Sequence, residues 1–200
     1  YKFCQQTLAR GEWGRPSGEA LINRTALIIG LGAVGQALAV RLVPLGMRVM
    51  ATDVMVRSKV AEKLGLDRLE DPSKLNDMLP EADFVISTVT LTPDTQGLLN
   101  HTVFERMKPT SFVVNISRGP IVNEEDLLAA LNEGRIAGAG LDVLNQEPPA
   151  ADHPLVNHAK VVVTPHTAGI TRQSFDALGR AVADNVERLK KGEPLQHLAT

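Results

Sequence analysis

The sequence predicts an α/β fold, a doubly wound and mostly parallel sheet with helices on both faces. Two observations carry that expectation. Short apolar runs recur at 26–29, 48–52, 84–89, 112–116, 136–143 and 160–164, and most are separated by segments with helical spacing. Such alternation brings parallel strands side by side under covering helices, and the crossovers between them are expected to be right-handed. With 200 residues, 44% of them hydrophobic, the chain is long and apolar enough to bury one sizeable core.

Taken in order, residues 1–13 (YKFCQQTLARGEW) read as the middle of a helix, and the Gly- and Arg-rich segment around Trp13 reads as one that packs against something outside the domain. Because the chain opens at Tyr1 without an initiator methionine, it is expected to be a piece of a longer polypeptide. The run TALIIGLGAVG follows, Thr25 to Gly35. It predicts a strand, a tight turn at Gly30, Gly32 and Gly35, and a helix over Ala33–Leu45, the Rossmann-type layout that binds a dinucleotide pyrophosphate. Gly30 lets the chain turn, Gly32 lets backbone approach phosphate, and Gly35 lets helix and strand pack closely. The helix start aims its unpaired N–H groups and positive dipole end at the anion.

The next strand, MRVMATD, ends on Asp53. A carboxylate there accepts hydrogen bonds from the adenosine ribose hydroxyls and repels a 2′-phosphate, so the expected cofactor is NAD rather than NADP. A second helix is predicted over Pro72–Leu79, with Leu75, Met78 and Leu79 on one face. A third runs over Asn123–Asn132, where Asn123 caps, Glu124, Glu125 and Asp126 fill the positive first turn, and Gly134 follows the end. The last, about Thr171 to Lys191, puts Leu178, Val182, Val186 and Leu189 on one stripe and ends in Lys190, Lys191 and Gly192. The expected organisation is an N-terminal helical or interdomain segment over 1–23, an NAD-binding domain over 24–192, and a tail over 193–200 leading to a substrate domain.

Charge and cysteine usage narrow the partners. The net charge of −2 is scattered along the chain without a basic stripe, so neither nucleic acid nor a membrane surface is expected as a partner. The longest apolar stretch, 26–40, is broken by three glycines and Gln36 and does not read as a membrane span. Cys4 is the single cysteine and cannot form an internal disulfide, so a cytoplasmic location is expected. The sequence shows no clustered His and Cys set for a metal, and His101, His153, His158 and His197 read as structural.

Three further segments end strands where doubly wound sheets bind ligands. VVNISRGPIVNEEDL delivers Arg118 into a Gly-Pro turn, where a planar guanidinium suits a carboxylate or carbonyl, although a surface arginine is the plainer reading. GLDVLNQEPP carries Asp142 and Glu147, and VVVTPHTAG presents His166 ahead of Ala168 and Gly169. A histidine backed by a carboxylate can act as general acid and base, but spacing alone does not place Glu147 beside His166.

In their order, GLGAVG, Asp53, NISRGPIVNEEDLLAAL, GLDVLNQEPP and TPHTAG closely resemble the cofactor-binding domain of the D-isomer-specific 2-hydroxyacid dehydrogenases, a group that includes phosphoglycerate, glycerate and D-lactate dehydrogenases. The resemblance covers residues from about Trp13 onward. It implies NAD-dependent interconversion of a 2-oxo acid and a D-2-hydroxy acid. Arg118 would bind the substrate's carboxylate and carbonyl oxygen, His166 would exchange a proton with the C2 oxygen, and Glu147 would orient the imidazole and favour its protonated form. Asp142 would bind the nicotinamide carboxamide, Ala33 and Val34 would lie over the pyrophosphate, and Thr88 and Thr95 would line the cofactor. Gly30, Gly32, Gly35, Asp53, Ile116, Ser117, Arg118, His166 and Ala168 complete the implied cofactor contacts. Thr90, often proline in that family, and Ala168, often glycine, depart from its pattern.

Relatives of this kind also imply a homodimer formed through residues 1–13 and a chain that, without a substrate domain, binds NAD but turns over poorly. The alternative is an NAD(H)-sensing protein-interaction module of the co-repressor kind, without turnover.

Overall fold

Seven strands form one wholly parallel sheet in the order β3-β2-β1-β4-β5-β6-β7 in the computed structural model, which describes residues 2–13 and 18–197. The strands are β1 (Thr25–Ile29), β2 (Arg48–Thr52), β3 (Arg68–Glu70), β4 (Phe84–Ser87), β5 (Phe112–Asn115), β6 (Gly138–Leu141) and β7 (Val161–Val163). The order runs outward in both directions from the β1–β4 pair, which makes the space above their carboxyl ends the switch point where such sheets bind ligands. Register sets that space: Ile29 is level with Thr52 on one side and with Ser87 on the other.

Each expected strand forms, and β3 is added at the sheet edge beside β2. Several runs stop short of their apolar length. β4 ends at Ser87 rather than Val89, and β5 at Asn115 rather than Ile116, because the chain leaves the ladder there to line a cavity.

The helices are α1 (Lys2–Ala9), α2 (Ala33–Leu42), α3 (Ser58–Leu64), α4 (Leu75–Met78), α5 (His101–Arg106), α6 (Glu124–Asn132), α7 (Pro154–Asn157) and α8 (Arg172–Lys191). The helix expected over Ala33–Leu45 tightens into a 3₁₀ turn at Val43–Leu45, where Pro44 supplies no N–H for the α ladder. The one expected over Pro72–Leu79 is divided: Asp71 caps a 3₁₀ turn at Pro72–Lys74, and only Leu75–Met78 is α-helical. Asn123 caps α6 by accepting from the Glu125 and Asp126 N–H groups, as its side chain and position predict.

Alternation along β1 divides the core between the two faces of the sheet. Leu27 and Ile29 pack with Met50, Val85, Val113, Leu127 and Leu155, while Ala26 and Ile28 pack with Val49, Ala51, Ile86 and Ala39. Helix α8 lies outside both clusters. Its stripe of Phe175, Leu178, Val182, Val186 and Leu189 is exposed throughout, so the periodicity seen in the sequence marks a face without a partner among the described residues. No helix among those residues is long and apolar enough to cross a membrane.

Candidate active site

The turn after β1 is built around backbone. Gly30 has φ 95°, a left-handed conformation that favours glycine, and its carbonyl oxygen accepts from the Thr88 hydroxyl at 2.6 Å. A Cβ on Gly35 would overlap that same carbonyl oxygen, so α2 can approach β1 this closely only as glycine. Gly32 differs. A Cβ there would meet nothing within 4 Å, and no side-chain hydrogen bond caps α2, so its first-turn N–H groups have no side-chain cap. A helix start with bare N–H groups beside a glycine open to solvent fits an anionic phosphate group. Ala33 and Val34 form the first turn of α2 and stand where that group would lie.

Asp53, directly after β2, is held from two directions. Its Oδ2 accepts from the Leu31 N–H at 2.6 Å and its Oδ1 from the Met55 N–H at 2.8 Å. The carboxylate is thereby fixed beside the glycine turn, with lone pairs left over for ribose hydroxyls. Leu31 is thus a partner that motif reading did not mark: its apolar side chain is buried and its N–H does the work.

Five of the expected cofactor contacts, Val34, Thr88, Ile116, Ser117 and Arg118, meet in one cavity of about 300 Å³ at the switch point, completed by Val89, Thr90 and Leu91. Thr95 has another use. Its hydroxyl donates to the Thr90 carbonyl at 2.7 Å and accepts from the Thr92 N–H at 2.8 Å, which shapes the loop bearing Thr90 and Leu91 from behind.

Arg118, Asp142 and His166 follow the ends of β5, β6 and β7, three neighbouring strands. The Arg118 turn is set by Asn115, whose buried carboxamide accepts from the Ser117 N–H at 3.0 Å and donates to the Arg118 carbonyl at 2.8 Å. The guanidinium Nη1 of this exposed residue donates to the Ser117 carbonyl at 2.7 Å, which leaves further N–H donors of the fork for other acceptors. Sequence reading passed over Asn115, which looks like the last residue of a strand.

The His166 turn depends on Asp142. This buried carboxylate accepts from the Thr164 hydroxyl and from the N–H groups of Thr167 and Ala168, both at 2.9 Å. Burial pushes the Asp142 carboxyl up, but the Thr164 hydroxyl and then the Ala168 and Thr167 N–H groups outweigh it and hold it below the usual carboxylate range. His166 itself sits at φ 52°, a conformation uncommon outside glycine, and the bonds around it hold it there. Ala168, where the resembled family often has glycine, is not among the positive-φ residues and carries its Cβ without strain.

Glu147 completes the constellation. Its Oε2 lies 2.8 Å from His166 Nδ1 and its Oε1 accepts from the Leu144 N–H at 3.0 Å. The bond from His166 comes first, and the Leu144 N–H second, among the causes that hold this carboxyl below its ordinary value. An ionised carboxylate has no hydrogen to give, so Nδ1 carries it, which leaves Nε2 for other partners. Beneath the pair lies a mainly apolar cavity of about 460 Å³ that includes Leu144, Pro148, Pro149, Val156 and Val163.

The family model "D-isomer specific 2-hydroxyacid dehydrogenase, NAD binding domain" matches residues 1–168. The chain is 37% identical over 179 residues to the glyoxylate reductase/hydroxypyruvate reductase of Homo sapiens, covering 89% of this chain and 53% of that protein. It is 35% identical over 189 residues to the D-3-phosphoglycerate dehydrogenase of Methanocaldococcus jannaschii, covering 94% of this chain and 35% of that one. Among solved structures, a D-isomer specific 2-hydroxyacid dehydrogenase family protein from Aeromonas salmonicida superposes with a TM-score of 0.88 at 32% identity, covering all of this chain and 62% of the other. The chain therefore spans between about a third and three-fifths of the length of these relatives. Since the match runs without a break from the glycine turn through the His166 turn, the chain belongs to the D-isomer specific 2-hydroxyacid dehydrogenase family, as its NAD-binding domain.

Proposed function

We propose that the protein containing this chain interconverts a 2-oxo acid and a D-2-hydroxy acid with NAD(H). The observation that carries the reading is the 2.8 Å pairing of His166 Nδ1 with Glu147 Oε2, at the end of the sheet that also bears Arg118 and the glycine turn. Bound NADH supplies the hydride for reduction of the substrate's second carbon. Gly30, Gly32, Ala33, Val34 and Gly35 would hold its pyrophosphate, and Asp53 its adenosine ribose.

The chain's own side chains divide the remaining work. Arg118 offers paired N–H donors to the carboxylate and carbonyl oxygen, which fixes the substrate's orientation. His166 passes a proton from Nε2 to the carbonyl oxygen in reduction and accepts it in oxidation. Glu147, ionised at neutral pH, orients the ring through its contact with Nδ1. Asp142 keeps its carboxylate on the His166 turn, and its remaining lone pairs are what a nicotinamide carboxamide would use.

The test is a panel of 2-oxo acids offered with NADH to the full-length protein. Turnover is expected on at least one of them, and His166→Ala should lower kcat by roughly 10²- to 10⁴-fold. Unchanged turnover in that variant would remove His166 from the mechanism.

The reading extends to assembly and location. Trp13 is 87% exposed and Leu8 is exposed on α1, surfaces suited to a second copy of the chain, and we propose a homodimer; sedimentation showing only the 21.6 kDa mass at micromolar concentration would refute it. The exposed stripe of α8 suits a substrate-binding domain. The lone thiol of Cys4 suits a reducing cytoplasm, which fractionation of cells producing the protein would test.

A further inference from the structure

The turn that carries Glu147 rests on one peptide unit, Leu144–Asn145, and that unit is gripped by the segment following Arg118. On one side Gly119 packs flat against it. A Cβ added to Gly119 would overlap the Leu144 carbonyl carbon and oxygen and press on the Asn145 nitrogen, so backbone here meets backbone directly. On the other side Glu124, the first residue of α6, accepts the Asn145 N–H through Oε1 at 2.8 Å. Its second oxygen, Oε2, lies 3.3 Å from Nε2 of His153, which directly precedes α7. Glu124 is four-fifths buried and His153 more so, so both side chains keep one geometry.

The next N–H back along the chain, that of Leu144, is the one donated to Glu147. That N–H belongs to the preceding peptide unit, which meets the Leu144–Asn145 unit at the Leu144 Cα; because the Leu144 side chain is buried in the core, a seated Leu144–Asn145 peptide restricts how the Leu144 N–H can turn, and with it the carboxylate that faces His166. We infer that Glu124, steadied by His153 and opposed by Gly119, is a positioning residue: it seats the Leu144–Asn145 peptide and so holds Glu147 in register with His166 and with Arg118. The device joins two loops of the site that belong to different strands. It uses two residues, Glu124 and His153, that the reaction itself does not touch. Its importance rests on Glu147 and His166 being the proton-transfer pair, but the bracing can be measured without turnover.

The experiment uses the 200-residue chain with Glu124→Ala and Glu124→Gln. The readouts are the titration of the Glu147 carboxyl carbon by NMR, assigned with Glu147→Gln, and hydrogen exchange at the Asn145 amide. In the unaltered chain Glu147 titrates below an ordinary glutamate, because His166 and the Leu144 N–H stabilise its charge. Asp142 is the other charge that acts on it, and it pushes the opposite way. Glu124→Ala is expected to move the Glu147 midpoint upward and to raise exchange at Asn145 about tenfold, the loss of one hydrogen bond of ordinary strength. Glu124→Gln keeps an oxygen for the Asn145 N–H and should restore both readouts.

An unmoved Glu147 midpoint in a folded Glu124→Ala protein overturns the inference. Equal upward displacement by both variants overturns it too, since the acceptor oxygen that Gln keeps would then make no difference, and loss of the Glu124 charge alone would move the midpoint downward. Should Glu124→Ala not fold, unprotected exchange at Asn145 in the unaltered chain overturns the inference, and protection lost in neither the unaltered chain nor Glu124→Gln supports it. Absence of turnover on 2-oxo acids, by contrast, would refute the dehydrogenase reading and leave the bracing as measured.

Discussion

His166 and Asp142 are joined through both main chain and side chain: the His166 N–H donates to the Asp142 carbonyl at 2.8 Å, while the Asp142 carboxylate takes the N–H groups of the two residues that follow. A left-handed histidine costs the fold on the order of 1 kcal/mol, so it persists only where neighbours fix it. Asp142→Asn keeps the size of the side chain but turns one acceptor into a donor facing other donors. Unfolding free energy by urea titration is expected to fall by about 2 kcal/mol. A loss below half that would mean the turn does not depend on the carboxylate.

The same pair predicts a pH dependence. A carboxyl whose folded pKa lies below its ordinary value, 3.8 for aspartate, stabilises the fold above that value. The contribution is lost as pH falls through the lowered folded value. The stability gap between the unaltered chain and Asp142→Asn should therefore be widest near neutrality and shrink by about pH 3. An equal gap at both pH values would contradict the assignment.

Gly32 and Gly35 share a motif and should fail in different ways. At Gly35 a Cβ meets the Gly30 carbonyl oxygen, which is backbone and cannot move aside, so Gly35→Ala should lower stability by about 2 kcal/mol, as overpacking does. At Gly32 the added methyl meets only open space, and φ −71° suits alanine. Gly32→Ala should leave the melting temperature nearly unchanged and weaken NADH binding by about tenfold or more, since the methyl occupies the ground of the phosphate. Calorimetric titration and thermal unfolding on both variants separate the outcomes. Equal affinity in Gly32→Ala would move the pyrophosphate elsewhere.

Asp53 is expected to set the preference between cofactors, because its carboxylate is pinned by the Leu31 and Met55 N–H groups and cannot swing away from a 2′-phosphate. Removing the charge while keeping one acceptor, in Asp53→Asn, should raise the NADPH-to-NADH affinity ratio by about tenfold, roughly 1.4 kcal/mol. The measurement is the Kd of each cofactor for both proteins. A ratio that stays fixed would mean that other groups choose the cofactor.

Apolar runs and glycines made most of the fold readable in the sequence, because burial on both faces demands the first and close backbone approach the second. What escaped was short or polar. β3 has charged Arg68 and Glu70 around a single leucine, and it forms only because the edge of β2 offers it a ladder. α3, α5 and α7 span two turns or fewer, too short for periodicity to register. In the site, His166, Glu147 and Arg118 were marked by their chemistry. Asn115, Glu124 and the bracing role of Asp142 act through hydrogen bonds to backbone groups, which no spacing rule reports.

Arg118 offers a geometric test of how the substrate is held. Its Nη1 is committed to the Ser117 carbonyl, and Ser117 is itself locked by a hydroxyl contact with buried Ser87 at 3.0 Å, so the plane of the guanidinium is fixed from below. A planar fork so fixed can meet a carboxylate and an adjacent carbonyl together, whereas an ammonium meets them only as a point charge. Arg118→Lys in the full-length protein is therefore expected to raise KM for the 2-oxo acid by about ten- to a hundredfold, roughly 1.4 to 2.8 kcal/mol. NADH affinity of the same variant should fall by clearly less than KM rises, because the glycine turn after β1 and Asp53 after β2 are expected to carry most of the cofactor contacts and Arg118 is one among several after β5. Steady-state kinetics alongside calorimetry gives both numbers. A KM that does not move, or an NADH affinity that falls in step with it, would place Arg118 on the cofactor instead of the substrate.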